Sequence, residues 1–340
     1  MKIGQSDIGR IIHWLNQNDM PKVTIALITY NRAGYLTQAI DAVLLQTYRD
    51  FELIIMDNGS TVETYESIKP YLSEQVKYHR NPINNREYAN EAFSLATGEF
   101  LLITHDDDMM MPTMLEREVE LLNLNTNCVL VGCNVTLINE DNKVISQRAN
   151  KQKKNHTFNQ YEYIKSFFSG GLVLFCPTIL MRRSFFDSNC LNYDVLGVGP
   201  AADSYLWFEV NLNPVQLALI SEPLYNYRIH SNQDWLANAN TMEFILFPKT
   251  IDLLLSKMSI VNAKPYLKLI IHKSIVNTAF AYYLKKITKQ EFVNNIIRYK
   301  AELINWSLIS TKDKFILFFI KYFNLYYIFS YKIYVRIKKL

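Results

Sequence analysis

Between Val23 and Thr104 short apolar runs alternate with stretches of helical spacing, and this alternation limits the fold more than any other feature of the chain. VTIALI is followed by RAGYLTQAIDAVLLQ, in which Leu36, Ile40, Val43 and Leu44 recur at three- and four-residue intervals. FELIIM is followed by TVETYESIKPYL, and VKYHR, REYANEAFSLATG and EFLLIT extend the series. Strand, helix, strand, helix in this order predicts an α/β fold, a mixed and mainly parallel sheet flanked by helices. Sheets of this kind bind ligands where the strands end at their carboxyl edge.

Beyond Pro112 the alternation loosens. TMLEREVELLNL reads as a helix, CVLVGCNVTLI as a strand, and the polar stretch 142–157 as a loop. LVLFCPTILM and VQLALI are expected to be strands, with ADSYLWFEVN a helix between them. From Thr241 to Leu340 the pattern is helical, with a break near Ser310 and Thr311, and no internal repeat is visible. With 340 residues, 49% of them hydrophobic, the chain has enough apolar material for one large domain or two modest ones. The first twenty residues contain Asp7 and polar breaks and lack a small-residue cleavage pattern, so a cytoplasmic location is expected. The four cysteines (128, 133, 176 and 190) match neither a zinc site nor a disulfide framework, which predicts reduced, mostly buried thiols.

Charge is informative through its distribution. The net value is +4, but residues 314–340 hold six Lys and Arg and no acid, so the remainder carries −2. A nucleic-acid surface over the body of the chain is therefore not expected. In 314–340, Phe315, Phe318, Phe319, Tyr322, Phe323, Tyr326 and Tyr327 form a stripe at helical spacing, with the lysines on another side. A basic aromatic helix of this kind suits an anionic membrane surface. A helix packed on protein is the competing reading. Its longest uncharged run, Tyr322 to Tyr331, is far short of the ~20 residues needed to span a bilayer.

Three absences narrow the chemistry: there is no GxGxxG, no GxxxxGK[ST] and no GxSxG. What remains is EFLLIT running directly into His105, Asp106, Asp107 and Asp108, which places hard oxygen donors at the ligand edge and favours Mn²⁺ or Mg²⁺. A solvated turn before the helix after Pro112 would explain one aspartate, since N–H groups and the helix dipole favour an acid there, but not three. FELIIM likewise ends in Asp57-Asn58-Gly59-Ser60, which alone is an ordinary turn sequence. The first strand ends in Thr29-Tyr30-Asn31-Arg32, where the Tyr30 ring could stack on a base or simply pack.

Taken together, VTIALITYNRAGYLTQAIDAVLLQTYRDFELIIMDNGS and EYANEAFSLATGEFLLITHDDDMMMP resemble the inverting nucleotide-sugar glycosyltransferases of glycosyltransferase family 2, which have the GT-A fold. The resemblance covers about residues 21 to 235 by motif order and spacing. It implies a catalytic domain over 21–240, with a nucleotide-binding half (21–112) and an acceptor half (113–240), between a short extension (1–20) and a helical region (241–340). It further implies that Tyr30 stacks on the nucleotide base, that Asp57 accepts from the base's ring N–H, that Asp106 contacts ribose or sugar, and that Asp107 holds the metal. Asp108 would orient the loop. His105 stands where many relatives have the first acid of an Asp-x-Asp-Asp stretch. Asn90 would support this loop, and Arg86 would reach the base or phosphate.

Displacing a nucleotide diphosphate from a sugar requires charge stabilisation on the phosphates and a base for the incoming hydroxyl. The family order assigns the base to Asp203, at the start of a predicted helix, where an N-cap role is compatible; Glu209 is the reserve. In PLYNYRIHSNQDW, the pattern Tyr227, Arg228, His230, Gln233 resembles a segment that closes over the donor phosphates, with Arg228 at the diphosphate and His230 as a further metal ligand. The expected activity is transfer from a UDP-sugar to a growing surface glycan, with a lipid-linked acceptor and a peripheral place on the inner membrane face suggested by 314–340. A nucleotide-sugar-binding protein without turnover and a sugar-phosphate nucleotidyltransferase are the alternatives.

Overall fold

The computed structural model describes residues 20–85, 87–193, 202–231 and 233, with isolated positions at 253, 254, 257, 288 and 290. Arg86, the first nineteen residues and the basic aromatic stretch 314–340 lie outside the described residues.

The first half follows the alternation. Strand β1 (Val23–Thr29) leads into helix α1 (Ala33–Leu44), β2 (Phe51–Asp57) into α2 (Val62–Ile68), and β3 (Val76–Arg80) into α3 (Tyr88–Leu95) before β4 (Phe100–His105). β1 pairs in parallel with both β2 and β4, and β2 with β3. Every residue of β1 and β2 is buried, as expected of parallel strands covered on both faces. Val23, Ile25 and Leu27 share a core with Leu36, Ala39, Ile40 and Val43 of α1, so the helical three-and-four spacing closes one face of the sheet. Beside this core Glu52 is buried, and it accepts hydrogen bonds from Thr24 Oγ1 (2.7 Å), Lys77 Nζ (2.6 Å) and the Thr97 N–H (3.1 Å). One carboxylate thus ties β1, β2, β3 and the turn before β4 together. Burial alone would raise its pKa, but these bonds hold it below the ordinary value.

The second half supplies β5 (Met109–Met110), α4 (Met114–Leu124), β6 (Cys128–Ile138), β7 (Val144–Ser146), β8 (His156–Phe158), α5 (Glu162–Phe168), β9 (Leu180–Arg182), α6 (Arg183–Ser188), α7 (Ala202–Asn211) and β10 (Gln216–Arg228). The sheet runs β3-β2-β1-β4-β9-β6-β10-β5, with β7 beside β6 and β8 beside β10. β9 is antiparallel to both β4 and β6, whereas β10 is parallel to β6. Two local expectations change. The polar stretch 142–157 contains β7 and the start of β8 rather than being loop throughout. LVLFCPTILM is not one strand: Pro177, which has no N–H for a ladder, sits in a 3-10 turn (Cys176–Thr178), and pairing begins at Leu180.

The chain divides into two compact units, one of Met1–Asn159, Val173–Tyr193 and Val215–His230, the other of Gln160–Leu172, Asp194–Pro214 and Ser231–Leu340. The first contains the sheet. In the second, the Phe208 ring of α7 meets Tyr163, Phe167 and Phe168 of α5 at centroid distances of 5.9, 5.1 and 5.4 Å. Asn211 Oδ1 accepts the Tyr163 and Ile164 N–H groups (3.0 and 3.3 Å), satisfying donors that the start of α5 leaves without helical partners.

Candidate active site

Parallel register brings three strand ends to one edge. Thr29 lies opposite Asp57 and Ile28 opposite His105, so the loops that follow β1, β2 and β4 emerge side by side. Tyr30 is 44% exposed there. Asn31 follows with a left-handed backbone (φ 54°), its N–H donating to Ser60 Oγ and its Oδ1 accepting from the Thr61 N–H, both at 2.9 Å. The β1 and β2 loops are thereby tied to each other. Asp57 is buried, and its carboxylate accepts from the Ser60 N–H (2.8 Å) and the Tyr78 hydroxyl (2.6 Å). Burial and the bond to Asp57 push the Tyr78 phenol well above its ordinary value. Asn58 clamps the next loop, donating to Asn84 Oδ1 (2.9 Å) and the Asn85 carbonyl (2.7 Å).

Asp106, Asp107 and Asp108 are all buried, and each charge is answered by a different part of the protein. Asp106 accepts from Thr29 Oγ1 at 2.7 Å, and Arg32 Nη1 bridges Asp106 Oδ1 (3.1 Å) and Asp107 Oδ2 (3.0 Å). His230 Nε2 lies 2.9 Å from the same Asp107 oxygen. Asp108 accepts the Arg228 N–H at 2.7 Å and the Tyr225 hydroxyl at 3.3 Å. The pairing of β5 with β10, Met110 opposite Tyr225, is what carries these donors to the acidic loop. Burial and the neighbouring Asp107 charge push Asp106 up to about 6, against the pull of Arg32 and Thr29. Burial acts the same way on Asp107, but the charges of His105, Arg32 and His230 outweigh it and keep this carboxyl below its ordinary value. Burial, then the charge on Asp107, drives Asp108 well up. Negative charge therefore concentrates on Asp107.

His105, Asp107 and Asp108 offer ligand atoms within 4.8 Å of one another. One imidazole nitrogen and two carboxylates form a donor set that suits Mn²⁺ or Mg²⁺, and these residues fit such an ion.

The other residues singled out in the sequence are placed as follows. Arg228, expected at the diphosphate, is 1% exposed. Its Nε donates to the Asp107 carbonyl (2.7 Å), Nη1 to Asn142 Oδ1 (2.5 Å), and its plane lies 4.6 Å from the Tyr35 ring centre. A guanidinium so enclosed shapes the acidic loop from behind. His230, expected as a metal ligand, is buried against Asp107 and the Tyr35 ring, while His105 joins the ligand group. Asn90, expected to support the acidic loop, pairs instead with both backbone groups of Tyr193 (2.9 and 3.0 Å). Asp203 is half-buried in the first turn of α7, with Ser204 N–H at 2.6 Å, and burial raises its carboxyl above the ordinary range. Glu209 is paired with Lys257. Arg32 was not foreseen. Its signal was a cation in the loop after β1, at the same edge as the acids that need a counter-charge.

A mainly parallel sheet that delivers acids from neighbouring strand ends to one edge, with a His-Asp-Asp group there, is an architecture of the GT-A type. Residues 24–189 match the model of glycosyl transferase family 2. The chain thus carries a family 2 glycosyltransferase domain. It is 28% identical over 219 residues to the O-antigen biosynthesis glycosyltransferase WbnJ of Escherichia coli, spanning 63% of this chain and 81% of that one. Among solved structures, TarS of S. aureus in complex with UDP-GlcNAc superposes with a TM-score of 0.66 at 15% identity, over 91% of this chain and 89% of that chain. The mannosyltransferase PcManGT of Pyrobaculum calidifontis, in complex with GDP-Man and Mn²⁺, gives 0.51 at 15% identity, over 88% of each. At such identities the superpositions establish the fold. Among the described residues, no helix is long and apolar enough to cross a membrane.

Proposed function

We propose that this glycosyltransferase moves a sugar from a UDP-linked donor to a hydroxyl of a growing, lipid-linked surface glycan, with inversion and with Mn²⁺ or Mg²⁺. The observation that carries this reading is the His105-Asp107-Asp108 group, its two carboxyl groups buried, at the carboxyl edge of the parallel strands. A divalent cation bound by those residues supplies charge stabilisation for the departing diphosphate. Support for a sugar nucleotide comes from UDP-GlcNAc in TarS and GDP-Man in PcManGT, and for the glycan from the O-antigen assignment of WbnJ.

The chain's own residues divide the remaining work. The exposed Tyr30 ring offers a stacking surface for the base, beside the Asp57 carboxylate, and Asp106 is assigned to ribose or sugar. Arg86 keeps its assignment to base or phosphate. Arg228 positions Asp107 and Asp108 through the bonds described above, and His230 orients Asp107. Asp203 is the proposed base, on the family order of motifs and on a carboxyl that burial makes a better proton acceptor.

Screening nucleotide sugars with Mn²⁺ for protection against thermal unfolding tests the donor. A ligand at a hundred times its Kd should stabilise the parent by about 2.7 kcal/mol. Asp107→Ala should abolish both protection and transfer. Asp203→Asn should keep the protection while transfer falls by at least about a hundredfold, the usual range for a lost general base. Full transfer by Asp203→Asn would discard the base, and protection of Asp107→Ala equal to the parent's would discard the metal site.

A further inference from the structure

Asp106 and Asp107, two consecutive buried acids, share one cationic partner. Arg32 Nη1 sits between Asp106 Oδ1 and Asp107 Oδ2 at 3.1 and 3.0 Å, where one guanidinium nitrogen is shared by two buried carboxyl groups. We infer that Arg32 is the acidic loop's resident counter-ion, which a divalent cation must displace from Asp107 and which then turns to the diphosphate. The inference rests on the metal-assisted reading above and adds a competition to it.

The competition follows from the shared carboxylate. Asp107 Oδ2 already has Arg32 and His230 within 3.0 Å, and Asp107 belongs to the group able to hold the ion. A divalent cation on this carboxylate meets a fixed positive charge at hydrogen-bond range, and in a buried setting that repulsion is weakly screened. One of the two cations has to yield. His230, the other group on this oxygen, is buried against the Tyr35 ring, and Arg228 is outside the competition because it donates to the Asp107 carbonyl rather than the carboxylate. Arg32 differs in placement, because its side chain is 28% exposed and it precedes the first turn of α1. A guanidinium fork fits phosphate oxygens as it fits carboxylate oxygens, so the diphosphate offers the displaced group an equivalent partner. Cation and nucleotide binding are then coupled, each making room for the other.

Mn²⁺ binding to the full chain, read from the electron paramagnetic resonance signal of the free ion, tests this without turnover. Arg32→Met should bind Mn²⁺ alone about fivefold or more tightly than the parent, and adding UDP should tighten binding in the parent by a larger factor than in the variant. Arg32→Gln, which is polar but lacks the charge, should behave like Arg32→Met. Arg32→Lys, which restores the charge, should return the affinity for Mn²⁺ alone toward the parent's. Equal or weaker Mn²⁺ binding by Arg32→Met and Arg32→Gln would overturn the inference while leaving the metal site standing. No Mn²⁺ on parent or variants, with or without UDP, would instead remove the metal reading itself.

Discussion

Gly59 shows how far a single position can be constrained by chain that is remote in sequence. Its φ of +85° lies in the left-handed region, and a Cβ there would meet the Asn84 nitrogen at 2.7 Å and the Ile83 carbonyl carbon at 2.8 Å. Both are backbone atoms, so neither can swing aside. Gly59→Ala should cost about 1 kcal/mol for the conformation alone and roughly 2–3 kcal/mol once the loop shifts, read as a lower urea midpoint at unchanged slope. Because Asn58 holds Asn84 and Asn85, the same variant should also weaken nucleotide protection. A midpoint equal to the parent's would show that the loop at 83–85 gives way freely. Asn-Gly was legible as a turn; the backbone pressed against it was not, since that contact comes from the loop after β3. The acids were legible for a similar reason: Asp57 and Asp106 to Asp108 each follow an apolar strand in sequence. Their partners Arg32, Tyr225 and the Arg228 N–H come from other elements, and only the folded sheet brings them in.

At the scale of elements, α4 contains a conflict that the mechanism does not use. Its inward face presents Met114, Leu115, Val119 and Leu122 to the core, and among them Glu118 is fully buried with neither carboxylate oxygen hydrogen-bonded. Burial drives its pKa well above the ordinary value, and burial likewise raises the Cys133 thiol on β6, with the nearby Glu118 carboxyl adding to it. The native state therefore binds a proton here that the unfolded chain releases, so this residue lowers stability as pH rises above its ordinary value of 4.5. Glu118→Met, close in volume and apolar, should stabilise the protein by about 1–4 kcal/mol near neutral pH. The gain should be larger at pH 8 than at pH 5, measured by urea unfolding at both. A gain independent of pH would mean that Glu118 has a partner or a path to water. The periodicity that located this helix also placed Glu118 on its buried stripe, so the conflict was readable in principle. Elements with strong periodicity, from β1 to β4 and α1 to α4, were legible in the same way. β7 and β8 were not, and β9 was expected as part of a longer strand, because three-residue strands exist through their pairing with β6, β10 and β4 rather than through their own composition.

For the whole molecule the unequal distribution of charge sets the last expectation. Residues 314–340 carry six positive charges and no acid, against −2 over the rest, so an anionic surface should attract this stretch and repel the remainder slightly. Each basic residue near such a surface is worth about 1 kcal/mol, and the aromatic stripe adds burial that salt does not screen. The full chain should therefore sediment with vesicles containing phosphatidylglycerol, and only part of it should come off at 1 M salt, where charges are screened beyond about 3 Å. Vesicles of phosphatidylcholine alone should retain less, by the share the charges supply. Removal of residues 311–340 should abolish sedimentation with either vesicle while leaving protection by UDP-sugar and Mn²⁺ intact, since the sheet edge with Asp107 belongs to a different part of the chain. If the shortened chain still sediments with anionic vesicles, the membrane contact lies elsewhere. If the full chain stays in solution and instead forms a dimer that the shortened one does not, the stretch is a protein interface, and the proposed lipid-linked acceptor would need another route to the site.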